Sequence, residues 1–244
     1  MKRILEHIAE READFARHPF FARLERDQPF QELAPLATGL AFWVLTFHDL
    51  LHLLEAHASQ DELGRIIRHH VHEEAGHDRW YLDDLETLGL AVPASLDLFG
   101  ATHAPCRLAA YALMAEAFRA EHDLERIALV LALESTGHVF FQRSAAYRGF
   151  PSLPRPLRFF SGYHLEVEEG HELLEARMRR FLATQTLEDL AAARIRAACD
   201  RCYAAFDQMF DGLEAAVAAP YRSCPSEASR PLRPAPRTYG PTSA

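Results

Sequence analysis

From residue 2 to about residue 218 the apolar residues recur at spacings of three and four, and no stretch alternates strictly between apolar and polar. That rhythm restricts the chain to helices packed on helices, because a strand needs a period of two to turn one face to a core. The spacing predicts helices near 3–16, 19–27, 30–58, 61–88, 105–118, 121–147, 155–182 and 187–218. Ser59 or Asp61 caps the start of the fourth, and Gly89 ends it. The stretches "AVPASLDLFG" (91–100) and "GFPSLPRP" (149–156) read as the main loops. Beyond that the rhythm stops. Residues 220–244 are rich in Pro, Ser and Arg, so an all-α bundle over 1–219 with a disordered tail over 220–244 is expected.

Composition removes several classes of function. About half of the 244 residues are apolar, enough for a core that needs no cross-links. The cysteines, Cys106, Cys199, Cys202 and Cys224, form neither a disulfide framework nor a zinc knuckle, which points to a reducing cytoplasm. Glu6, Glu10, Arg11 and Glu12 interrupt the first segment and read against a signal peptide. The apolar run "LAFWVLTF" (40–47) falls short of a membrane span. A formal net charge of −9 argues against a nucleic-acid partner. Lys2 is the only lysine, which excludes Schiff-base chemistry and a P-loop. Histidine, at fourteen copies, is abundant.

Three segments place those histidines beside carboxylates where a core face should be. In "YHLEVEEGH" (163–171), His164, Glu168 and His171 stand four and three apart, next to an apolar stripe of Tyr163, Val167, Gly170, Leu174, Met178 and Phe181. In "RHHVHEEAGHDRWYLDDLETLG" (68–89), His70, Glu74 and His77 share the face of Leu63, Ile66, Ile67, Tyr81 and Leu85, with Glu73 at its edge. In "DLERIALVLALESTGHVFFQ" (123–142), Glu134 sits amid Leu124, Ile127, Val130, Leu131 and Phe141, and His138 follows one turn on. Each alone has an ordinary explanation as a satisfied core histidine or a buried ion pair. Together, Glu74, His77, Glu134, His164, Glu168 and His171 bring three imidazoles and three carboxylates inward with no arginine on the same stripes. Unpaired buried charge is costly, and cations supply the compensation. Imidazole with carboxylate suits iron or manganese better than zinc, and three carboxylates suffice for two divalent ions. A ferritin-like arrangement would need a further inward glutamate on the helix 30–58, which carries none. His48 and His52 lie one turn apart, either at a pocket or on a helix surface. Phe42, Trp43, Trp80, Phe159, Phe160 and Tyr163 read as core, with some walling a cavity.

The remaining pattern resembles the haem-oxygenase-like diiron oxidases over roughly residues 18–215. "HPFF" (18–21) is similar to that family's N-terminal region, "EEAGHDRWYLDDLETLG" (73–89) to its first metal helix, and "HLEVEEGH" (164–171) to its HxxxDxxH-type motif, with Glu134 in the place of the central carboxylate. Glu168 stands where the family usually has Asp. The resemblance implies a seven- to eight-helix bundle holding two Fe(II) ions on Glu74, His77, Glu134, His164, Glu168 and His171, with dioxygen as co-substrate. It further implies oxidation of a small amine- or carboxylate-bearing metabolite in a biosynthetic pathway, by N-oxygenation, desaturation or oxidative C–C cleavage. No GxGxxG or Fe–S cysteine spacing is present, so electrons come from an external reductant or from the substrate. A homodimer remains open. Two alternatives stand beside this reading: a thiaminase-type hydrolase of the same fold, for which Cys106 would be the candidate nucleophile, and a non-catalytic metal- or partner-binding helical protein.

Overall fold

A computed structural model describes residues 1–25 and 29–218. The proposed tail at 220–244 lies outside the described residues. Helices α1 (Lys2–Phe15), α2 (Phe21–Leu24), α3 (Phe30–Gly39), α4 (Ala41–Ala56), α5 (Glu62–Glu73) and α6 (His77–Thr87) make the first half. Then follow α7 (Ala104–Arg119), α8 (Asp123–Ala146), α9 (Gly162–Glu169), α10 (Ala176–Thr184) and α11 (Asp189–Ala218). Short 3₁₀ turns lie at Asp97–Phe99 and Glu172–Leu174, and no strand occurs among the described residues. The all-α bundle is as expected.

Helix α8 is the axis of the molecule. It is buried on nearly every side from Asp123 to Phe141 and packs against α1, α5, α9 and α11. A helix that is apolar all round belongs in a core, and Glu134 sits in its middle. Helices α4 and α7 pack together and, with α11, close the other side. Tyr81 on α6, fully buried, donates its hydroxyl proton to the Ala37 carbonyl of α3 at 2.6 Å, tying the segment that carries Glu74 and His77 to the N-terminal helices. Phe21 of the "HPFF" stretch packs edge-on with Phe15, and Phe20 packs tilted against Phe210 in the same core.

The long predicted helices are broken, and the breaks cluster at the candidate ligands. The helix expected over 61–88 begins at the cap of Asp61, whose Oδ1 accepts from the amides of Leu63 (3.0 Å) and Gly64 (3.2 Å). It stops at Glu73 and restarts at His77, because Gly76 turns the backbone into the left-handed region at φ 98°. Of the segment expected over 155–182, residues 155–161 are not helical. Helix α9 ends at Glu169, and His171 is extended (ψ 136°). Periodicity cannot reveal such breaks, since side chains on either side keep the same face. The helix expected over 19–27 is a single turn, α2, within the described residues.

The continuous stretch Phe30–Ala56 is 27 residues long and apolar enough, by length and composition, to cross a membrane. Half of its most apolar window is buried inside the bundle, as in a core helix. The short apolar run noted in the sequence understated it, because helix α3 extends the run toward the N-terminus.

Candidate metal centre

All six predicted ligands meet in one interior volume. Glu74 caps the end of α5 and His77 opens α6, and the Gly76 turn between them brings the His77 ring back toward Glu74: Nδ1 lies 2.9 Å from Glu74 Oε2. Glu74 is 3% exposed, and its other oxygen faces His171 Nδ1 at 3.1 Å, so one carboxylate stands between two imidazoles. Helix α9 supplies His164 and Glu168, with His164 Nε2 at 3.2 Å from both Glu168 Oε1 and His77 Nδ1. Glu134 enters from α8. Opposite it, at 3.2 Å, is Nε2 of His70, a residue 1% exposed.

His70 and Glu73 were left open by the sequence, and the structure brings both to the cluster. Three donor groups form, each within 4.8 Å: His77 with His164 and Glu168, His70 with Glu74 and Glu134, and His70 with Glu73 and His171. Glu73 also accepts the Glu172 amide at 3.0 Å and faces His69 at 3.3 Å, so it lies at the outer edge. His138 is elsewhere, bonded to the Gln142 side chain at 2.7 Å. His52 is on the surface beside Glu55, whereas His48 faces the cavity described below.

The face of α9 is rotated from the expected phase. Tyr163 is 47% exposed and Gly170 is exposed, while His164 and Glu168 are buried, so the ionisable stripe itself is the buried face. Tyr163 is therefore not core; it packs against Trp80 at the rim. Trp80 in turn stacks on His77, ring centroids 4.3 Å apart, and Phe141 covers His164 at 3.8 Å.

The donors are close but not aimed at one another. Among the described residues, buried side-chain polar atoms without a hydrogen-bond partner include both nitrogens of His70 and His171 and one oxygen each of Glu73, Glu74, Glu134 and Glu168; Arg11 and Arg126 supply the others. Buried polar atoms are ordinarily satisfied, so a concentration of orphans at one place demands a partner. Lone pairs directed at a shared volume are what a cation requires, and this donor set fits one or two ions. His164 shows how the ring is oriented. Its Nδ1 lies 3.1 Å from the Phe159 carbonyl, which fixes the proton there and leaves Nε2 free as a donor to metal.

The electrostatics of the protein alone agree with this. Burial opposes ionisation of Glu74, yet the His171 and His77 imidazoles close against it outweigh burial and hold the carboxyl well below its usual range. Burial raises Glu168 well above that range, with Glu134 and Glu74 adding to the effect. Burial lowers His70, but the Glu134 carboxylate reverses this, and Glu74 and Glu73 assist, leaving it at about 9. His164 falls to about 3, chiefly by burial and then by His77. Protons thus occupy His70 and Glu168 where cations would otherwise compensate the carboxylates.

One further residue of this region escaped the sequence reading. Asp84, buried on α6, accepts the amide of Arg158 with both oxygens (2.9 and 3.1 Å) and that of Phe160 at 3.0 Å. It pins the non-helical segment that leads into α9, and through Phe159 it sets the carbonyl that orients His164. Its spacing of seven from His77, two turns along the same face, is the signal that could have found it.

A cavity of about 80 Å³ opens against the cluster. Glu74, His77, Glu134, His164 and Glu168 form one wall, and Trp43, Phe47, Phe159 and Phe210 belong to the apolar remainder. Trp43 and Phe159 are thus cavity walls, while Phe42 and Phe160 are core. Cys106, on α7, is fully buried, and burial pushes its thiol up to about 12. A thiol in that state is a poor nucleophile, which weighs against the hydrolase alternative. No protein-family model matches the chain, and no curated protein sequence matches it.

Proposed function

We propose that this chain is a non-haem diiron oxidase of the haem-oxygenase-like type, oxidising a small organic substrate with dioxygen. The observation that carries the reading is the convergence of His70, Glu74, His77, Glu134, His164, Glu168 and His171 on one buried volume beside an apolar cavity. Glu74 would lie between two metal subsites, His77, His164 and Glu168 on one side and His70, Glu134 and His171 on the other. Bound ferrous ions would supply the electrons that reduce dioxygen.

The chain's own residues have separate tasks. Three carboxylates neutralise most of the charge of two divalent cations, and four imidazoles add donors without charge. Phe159, through its carbonyl, holds His164 in the tautomer that offers Nε2. Trp80 and Phe141 lie over His77 and His164 and shield them from water. The aromatic walls of the cavity keep a substrate beside the cluster and exclude bulk solvent.

The test is anaerobic loading with Fe(II), followed by metal analysis, Mössbauer spectroscopy and exposure to oxygen. Two irons per chain with spin-coupled signals after oxidation, and oxygen uptake that rises with a suitable substrate, support the reading. Stable metal binding with no oxygen uptake would leave a non-catalytic metal protein. Failure to bind any divalent ion would end it.

A further inference from the structure

The cavity differs sharply from its metal-facing wall. Apart from the cluster, its lining is rings and aliphatic chains from α4, α8 and α11, among them Trp43, Val44, Phe47, Met209 and Phe210. Three other polar residues line it: His48, Asp78 and Thr136. Thr136 already donates its hydroxyl to the Leu133 carbonyl at 2.7 Å. Asp78, half-buried, follows His77 directly and makes no salt bridge with a described residue. No arginine or lysine lines the cavity.

From this lining we propose that the cavity selects a small amine with an apolar body, its ammonium held by Asp78 and its alkyl or aryl part packed among Trp43, Phe47 and Phe210. The inference rests on the reading of the adjoining cluster as the reacting centre, and it chooses between the amine and the carboxylate left open by the sequence. A carboxylate headgroup in this position would meet Asp78 and find no arginine or lysine in the lining. An uncharged apolar molecule would cover the Asp78 carboxylate and strip its water without replacement. An ammonium replaces that water, gains a charge-assisted hydrogen bond, and is attracted by the ring faces around it. Asp78 and the cluster residues His77, His164 and Glu168 line the same small cavity, so an amine held at Asp78 shares that space with the cluster. The volume limits the apolar part to a short chain or a single ring.

Asp78 also lies in the first turn of α6, where a carboxylate favours the helix dipole. That role affects folding but not ligand preference, so the test reads a ratio. Calorimetric titration of the full chain, metal-free and loaded with redox-inert Zn(II), would use n-pentylamine, n-pentanol and n-pentanoate. The amine is expected to bind tighter than the alcohol and the carboxylate in both forms. Asp78→Asn should lower amine affinity about tenfold or more while leaving the alcohol unchanged; Asp78→Ser serves if the Asn variant does not fold. An unchanged amine-to-alcohol ratio in the folded variant, or pentanoate binding as tightly as pentylamine to the loaded protein, overturns the proposal. Zinc stoichiometry is measured in the same samples. Loss of metal binding with amine selectivity intact in the metal-free arm refutes the metal reading alone, and the reverse pattern refutes the amine alone.

Discussion

Replacing Asp84 by alanine removes the acceptor that holds the start of the α9 segment. Two backbone amides lose their partner: that of Phe160, which is buried, and that of Arg158, nearer to solvent. An orphaned buried donor costs about 1–3 kcal/mol and one that can reach water less than about 1 kcal/mol. Against this, burial raises the Asp84 carboxyl above its ordinary range, so its ionised form is already penalised and its removal returns part of the loss. The net expectation is about 2 kcal/mol of destabilisation, or roughly 4–8 °C in melting temperature for a chain of this size. Metal affinity should fall as well, because the Phe159 carbonyl that orients His164 sits between the two released amides. The assays are urea denaturation of the metal-free protein and competitive titration with a chromophoric chelator. Asp84→Asn retains one acceptor and should recover part of both losses. If Asp84→Ala changed stability by less than about 0.5 kcal/mol and left metal affinity at the wild-type value, the claim that Asp84 positions the segment carrying His164 and Glu168 would be refuted.

Other outcomes follow from the same geometry. His70→Ala should reduce bound metal toward one ion per chain, measured by elemental analysis; two full equivalents would remove His70 from the ligand set. Glu134→Gln keeps the shape of the side chain but removes a charge from the site, so iron content and turnover should fall together while the metal-free fold stays within about 1 kcal/mol. Gly76→Ala meets no atom within 4 Å of the added methyl, so its cost is conformational, about 1–2 kcal/mol, readable by chemical denaturation. His70 is held at about 9 and Glu168 above its ordinary range, so metal must displace protons and affinity should climb with pH up to about 9. The sign reverses for the metal-free fold, in which the raised His70 adds stability below its ordinary 6.5 that is lost as pH rises through about 9. Flat metal affinity from pH 6 to 9 would contradict this.

What was legible in the sequence was whatever depends on periodicity. The helical class, the inward direction of Glu74, His77, Glu134, His164, Glu168 and His171, and the cap at Asp61 all follow from which residues share a helix face. The breaks at Gly76 and His171 did not show, because a residue within a helical rhythm carries no sign of its backbone angle. The phase of α9 was misjudged for a related reason: Tyr163 and Val167 are more apolar than His164 and Glu168, and only a polar partner in the interior reverses their order. His70 was ambiguous beside His69 and His72, three imidazoles on adjoining positions of one helix. Asp84 was missed because its partners are backbone amides 74 and 76 residues away, which no side-chain pattern records.

Under the proposed function, Met209 would give the cavity wall a chemical memory. It stands on α11 among aromatic rings, 1% exposed, facing the same space as the cluster. A thioether is the most readily oxidised group in that lining, and its sulfoxide is polar and bulkier. In a diiron oxidase, each turnover that loses its substrate would spend its oxidising equivalents on the nearest wall, and the sulfur would take the oxygen before the rings did. The modification would then insert a dipole into the apolar space and spoil the fit for the next substrate. Aged preparations would divide into chains with intact and oxygenated Met209, and the proportion would count the unproductive cycles each sample had run.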